Sequence, residues 1–119
     1  MSNQGVGQWG EDRAVTYLEN KGFDIKRCNY ETPVGECDIL ARDGEKLVFV
    51  EVKTRKQRQF GSPQMSVTKE KREHLRRVAR YYLGGLEEPV SCRFDVIAIT
   101  LDGTESEINH IQNAFGGRE

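Results

Sequence analysis

The chain has 119 residues, 36% of them apolar and 31% charged, and a net charge of −1. That length holds a single core rather than two domains, and no run approaches the roughly 18 consecutive apolar residues of a membrane span. MSNQGVGQWGED has neither the basic nor the apolar region of a secretory signal, and Cys28, Cys37 and Cys92 are odd in number without CxxC or Cys/His metal spacing, so a reduced cytoplasmic protein is expected.

Residues 7–21 predict a helix with Ala14, Val15 and Leu18 on one face and Gly22 just past its end. FDIKRCNYE (23–31) alternates as a first strand; Pro33 and Gly35 turn the chain into ECDILAR (36–42), a second strand. Asp43-Gly44 is a hairpin signal. KLVFVEVKTR (46–55) follows as a third strand, its nearly continuous β-branched run pointing to burial on both faces. A polar loop over 56–65 leads to a second helix, capped by Ser66 or Thr68 and ending at Gly84-Gly85. SCRFDVIAIT (91–100) is a fourth strand, and Asp102-Gly103 turns toward a weaker, polar one near 105–111. Residues 1–5 and the tail from Asn113 are expected to be loose. The order predicts one α/β domain spanning 1–119, a mixed central sheet flanked by helices.

The second and third strands carry the chemistry. A two-residue Asp43-Gly44 turn pairs 42 with 45; a four-residue loop pairs 42 with 47 and sets Glu51 opposite Asp38. Both registers put Glu36, Asp38, Glu51 and Lys53 on one face, and only a three-residue loop without a bulge breaks this. Cys37, Ile39 and Ala41 then share the other face with Val48, Val50 and Val52. A glutamate inside LVFVEV costs several kcal/mol unless it is paired or binds a cation. An ion pair to Lys53 or an arginine answers that need, but leaves Asp38 and Glu36 crowded beside it. Like charges on one face are relieved by a cation between them, and Mg²⁺, or Mn²⁺ in its place, suits carboxylate oxygens. Lys53, at the edge of such a site, is placed to orient or deprotonate an attacking water, or to stabilise charge on a phosphate. Glu11 precedes Ala14, Val15 and Leu18 by three, four and seven residues, so it joins their stripe and the same site; alternatively it sits near the helix N-terminus because the dipole favours it there.

Between Lys53 and Arg80, ten lysines and arginines face only Glu70 and Glu73, a local +8 that suits a polyanion. On the second helix Leu75, Val78, Ala79 and Tyr82 are predicted inward, and Lys69, Arg72, Arg76 and Arg80 outward as a row able to contact successive phosphates. Arg55, Lys56 and Arg58 extend it. Such contacts give affinity without a base code and weaken steeply with salt. Tyr81 and Phe60 are candidate stacking residues, although Phe60 beside Gly61 reads better as a loop anchor. Trp9 reads as a core plug. His74 and His110, isolated and without ligand spacing, read as incidental.

Asp38 followed across a hairpin by Glu51-Val52-Lys53 resembles the PD-(D/E)xK signature of the restriction-endonuclease-like superfamily, without the Pro of the nominal PD pair. A wider set is more specific: G-x-x-G-E-D-x-A at 7–14, Y-L-x-x-x-G at 17–22, G-E-x-D-I-L-A-R-D at 35–43, L-V-F-V-E-V-K-T-R at 47–55, F-G-x-P at 60–63, V-T-x-x-K at 67–71 and R-F-D-V at 93–96. Together they resemble the YraN family of small bacterial proteins, similar in outline to archaeal Holliday-junction resolvases. The resemblance implies an αβββαβ core, with Asp38, Glu51 and Lys53 as the metal and catalytic residues, and Glu11 matching the N-terminal helix Glu of the resolvases. Cys37 stands where the family often has an aliphatic residue. The expected activity is metal-dependent hydrolysis of phosphodiester bonds, in branched or flapped DNA. The alternatives are nucleic-acid binding with weak or no cleavage, and a domain whose charges are ordinary ion pairs. A homodimer would supply the two cuts that a junction needs.

Overall fold

A computed structural model of the protein describes residues 3–56 and 67–116. Two helices and five strands follow in the order α1 (Asn3–Asn20), β1 (Asp24–Thr32), β2 (Gly35–Asp43), β3 (Lys46–Lys56), α2 (Lys69–Gly84), β4 (Cys92–Asp102) and β5 (Glu105–Phe115). They form one mixed sheet in the order β1-β2-β3-β4-β5. Only β3 and β4 run parallel, joined through α2; the other neighbours are antiparallel. The expected αβββαβ core is therefore present, with β5 added at one edge. Among the described residues no helix is long and apolar enough to cross a membrane.

The alternation of β3 feeds two cores. Val48 and Val50 pack with Ile39, Ala41, Ile97 and Ile99 beneath Ala14 and Leu18 of α1. Leu47 and Phe49 pack with Leu40, Phe94 and Val96 beneath Leu75, Val78 and Ala79 of α2. Each of the larger side chains, withdrawn from water, contributes roughly 1.5–3 kcal/mol. The buried stripe of α1 recurs every four residues at Gly10, Ala14 and Leu18. Gly10 is a close-approach position: a Cβ there would run into Oγ1 of Thr54 on β3. The cap of α2 is Thr68, whose hydroxyl accepts the Lys71 N–H at 3.2 Å; Ser66 and the polar loop lie outside the described residues.

Three expectations need correction. Cys37 packs on the α2 side with Leu40 and Phe49, not with Ile39 and Ala41. Strict alternation fails around residue 38: the β2–β3 pairing stops at Ile39, and the facing residue of β1, Asn29, has a left-handed φ of 50°. The tail from Asn113 is not loose as far as Phe115, which β5 includes; that ring stacks on Phe94 at 5.0 Å. Arg76 is buried rather than outward. Its guanidinium lies over the Phe115 ring, and its Nε donates to the Gly116 carbonyl at 2.9 Å, holding the end of β5 against α2.

Candidate metal centre and nucleic-acid interface

Hairpin register places the first two carboxylates. Arg42 pairs with Leu47 and Asp43 with Lys46, so the turn is Gly44-Glu45, one residue later than Asp43-Gly44, in the register of the longer loop. The ladder runs only to Ile39↔Val50. One residue beyond, where the register sets Glu51 opposite Asp38, the strands part. Asp38 Oδ2 there accepts the Val52 N–H at 2.8 Å. The side chain satisfies a backbone donor that the ladder no longer reaches, which holds the carboxylate in place.

A cleft of about 490 Å³ opens at this parting. The sheet contributes Glu36, Asp38 and Glu51; the cap and first two turns of α2 contribute Thr68, Glu70, Lys71 and His74. Glu51 is buried, and its Oε1 receives two ammoniums, Lys71 Nζ at 2.9 Å and Lys53 Nζ at 3.6 Å. From the α1 side Glu11 approaches Asp38 and Asn29. With α1 beginning at Asn3, Glu11 lies well inside the helix, so the N-terminal dipole does not account for it. Glu36 lies at the rim, its N–H donating to His74 Nε2 at 3.1 Å. Gly35, at φ +145°, leaves the room that the His74 ring occupies.

Crowding shows in the electrostatics. Burial, then the charges of Glu51 and Glu11, push the Asp38 carboxyl up to about 7, against the Val52 N–H and Lys71. Burial also raises Glu11, with the charges of Asp12 and Glu36 adding to it and Asn29 and Asp38 opposing. Lys53 is lowered by burial first and by the Lys71 charge second, outweighing the pull of Glu51. Burial works against the Lys71 charge too, yet the hydrogen bond and charge of Glu51 leave that ammonium raised.

Among the described residues no group of three or more His, Cys, Asp or Glu side chains is gathered to hold a metal ion. Asp38 and Glu51 nevertheless offer hard oxygen donors on facing strands. That set fits Mg²⁺, which takes one or two carboxylates and keeps several waters; it does not fit a structural Zn²⁺, which needs four nitrogen or sulfur ligands.

The cations divide into groups. Lys69 and Arg80 are exposed, Arg80 pairing with Glu73 at 3.1 Å; Arg72 and Arg55 are half-buried. Lys56 ends β3. Arg58 and Phe60 lie outside the described residues, and Tyr81 is exposed. Trp9, half-buried under the Arg13 guanidinium, packs against the α1-side core and also lines a groove between α1 and β5.

Two groups of residues escaped the sequence reading. Lys71 and His74 complete the cleft from α2, although Lys71 occupies the position where a capping box carries Glu or Gln. That misplaced charge was the available signal. The other is a buried cluster around Asp95, which accepts from Arg93 Nε at 3.0 Å, lies 2.8 Å from His110 Nε2 and takes the Asn113 N–H at 3.0 Å. Burial pushes the Asp95 carboxyl up, but the bonds from His110, Arg93 and Asn113 together leave it lowered. A charge inside FDVIAI carries the same signal as one inside LVFVEV, and here it marks a closed structural cluster. Neither histidine is incidental.

The profile of the uncharacterised protein family UPF0102 matches residues 10–99. A UPF0102 protein of Moorella thermoacetica is 47% identical over 119 residues, covering 97% of this chain and 98% of the relative. One of Thermodesulfovibrio yellowstonii is 43% identical over 115 residues, covering 97% and 99%. With a profile match over most of the chain and near full-length relatives, the protein belongs to the UPF0102, or YraN-like, family.

Proposed function

We propose that this protein is a metal-dependent nuclease that hydrolyses phosphodiester bonds, with branched or flapped DNA as its substrate. One observation carries the reading: Asp38 and Glu51 face each other where β2 and β3 part, with Lys53 beside Glu51, in a cleft open to solvent. Asp38 and Glu51 would hold Mg²⁺ or Mn²⁺, with Glu11 and Glu36 as further candidate ligands or as groups that orient its waters. The cation would supply Lewis-acid polarisation of the phosphate and acidify an attacking water. Lys53 has the depressed pKa and partial burial of a group able to take a proton from that water or to steady the phosphate. The water oxygen bonds to phosphorus, the ester P–O bond breaks, and the departing oxygen takes a proton. Lys69, Arg72 and Arg80 of α2, with Arg55, Lys56 and Arg58, would hold the backbone; Arg76 is withdrawn from that row because it is buried. A homodimer would allow paired cuts.

The second reading, nucleic-acid binding without cleavage, draws on the absence of a third gathered ligand among the described residues. Cleavage of single-stranded, duplex, flapped and four-way-junction DNA and RNA with Mg²⁺ or Mn²⁺ separates the two. Activity abolished by Glu51→Gln supports the nuclease. Salt-sensitive binding without cleavage supports the second reading, and no binding at low salt sinks both.

A further inference from the structure

We propose that Lys71 is a resident counter-cation of the cleft, which neutralises Glu51 in the metal-free protein and moves to a nucleic-acid phosphate when a divalent cation binds. Metal and nucleic acid then load cooperatively. The inference rests on the nuclease reading above and adds to it how the site is regulated.

Helix physics does not explain Lys71. It lies in the first turn of α2, directly after the Thr68 cap, where the dipole disfavours a cation and a capping box would place an acid. Its ammonium instead reaches Glu51 Oε1 at 2.9 Å, closer than Lys53 at 3.6 Å on the same oxygen. The two lysines differ in freedom. The Lys71 side chain is 51% exposed and the Lys53 side chain 29%, against 9% for Glu51. Lys71 reaches in from solvent on a four-carbon stem and is the partner able to leave; Lys53 is carried by the same strand as Glu51.

Charge supplies the drive. Two of the carboxylates lining the cleft, Glu36 and Glu70, are exposed to water; within the inner set, Asp38 and Glu51, when ionised, are balanced by Lys53 and Lys71. A divalent cation entering it leaves a surplus of two positive charges and repels an ammonium held in contact. Each phosphodiester brings one negative charge, and Lys69 and Arg72 flank Lys71 on the helix. Displacing Lys71 onto a phosphate relieves the surplus and supplies a backbone contact at once. By linkage, whatever factor the nucleic acid adds to metal affinity, the metal adds to nucleic-acid affinity.

Calorimetric titration with Mn²⁺ tests this on the full chain, with and without a phosphorothioate oligonucleotide. Lys71→Gln and Lys71→Met, checked for folding by circular dichroism, are expected to bind Mn²⁺ about tenfold or more tightly than wild type in the absence of oligonucleotide. Lys46→Gln, exposed at the far end of the β2–β3 hairpin, makes the same charge change and is expected to match wild type. The oligonucleotide should tighten Mn²⁺ binding to wild type and leave both Lys71 variants nearly unmoved. Equal Mn²⁺ affinity in wild type and the Lys71 variants, or the same oligonucleotide effect in all, overturns the inference and leaves the nuclease reading standing. No Mn²⁺ binding by any of them overturns both.

Discussion

Replacing Asp38 by asparagine removes the most strongly raised carboxyl among the described residues while keeping its shape. The amide oxygen can still accept the Val52 N–H. Asp38 is raised from 3.8 to about 7, and at about 1.36 kcal/mol per pH unit that rise sets a ceiling of about 4 kcal/mol on the cost of ionising it in the fold. Part of that cost is shared with Glu51 and part is relieved by solvent in the cleft, so about 2 kcal/mol is expected, or about 8 °C in melting temperature. The sign follows from linkage. Below the unfolded value near 3.8 both states hold the proton and the two proteins melt alike. As pH rises toward about 7 the unfolded chain has released the proton that the fold retains, and wild-type stability falls relative to the variant; above about 7 the difference is complete. Thermal melts from pH 4 to 8 without metal read this directly. A gain that is flat with pH, or a variant less stable at pH 8, would refute the picture of a buried, repelled carboxylate.

Other substitutions probe the remaining elements. Phe115→Ala, losing the stack on Phe94, should cost about 3–4 kcal/mol in denaturant unfolding, where a loose tail would cost nothing. Arg76→Met should lower stability and leave the salt dependence of DNA binding alone; Arg80→Met should do the reverse, reducing the slope by about one. Asp95→Asn should cost about 3 kcal/mol or more at neutral pH, because Arg93 loses its buried partner. Since the folded Asp95 pKa is lowered, its contribution is present above the unfolded value and lost as pH falls through the folded one, so the two proteins should converge in acid. Gly10→Ala, normally worth about 1 kcal/mol in a helix, should destabilise here through Thr54, and Thr54→Ala should restore part of the loss.

The element order and the common face of Asp38 and Glu51 were legible because they follow from period-two alternation and from a charged residue set in a β-branched run; the register was left open between two turns, and the Gly44-Glu45 turn decides it. The cleft was only half legible. Its floor comes from one hairpin, local in sequence, whereas Lys71 and His74 arrive from a helix whose rotation about its axis depends on packing. Arg76 shows the same limit: the helical wheel groups it with Arg72 and Arg80, but the end of β5 passes beside that face and captures it. Cys37 was misassigned because alternation presumes an unbroken ladder, and the ladder ends two residues later.

The parallel pairing of β3 with β4 runs unbroken from Leu47↔Cys92 to Lys56↔Leu101, straight past the point where β2 lets go. Glu51 and Lys53 are thus mounted on a rail braced along its length. Beyond the end of the β2–β3 ladder Asp38 is tied to that rail by a side-chain bond, and Lys71 reaches it from α2 by an ion pair. The cleft is therefore a vice whose β3 jaw is the braced one, and any widening is expected at the other jaw, β2 and α2. Amide exchange should register the asymmetry: the Val52 N–H, whose acceptor is the Asp38 carboxylate, should exchange faster than the ladder amides of Val48 and Val50, and slower exchange there would mean that the jaw does not move.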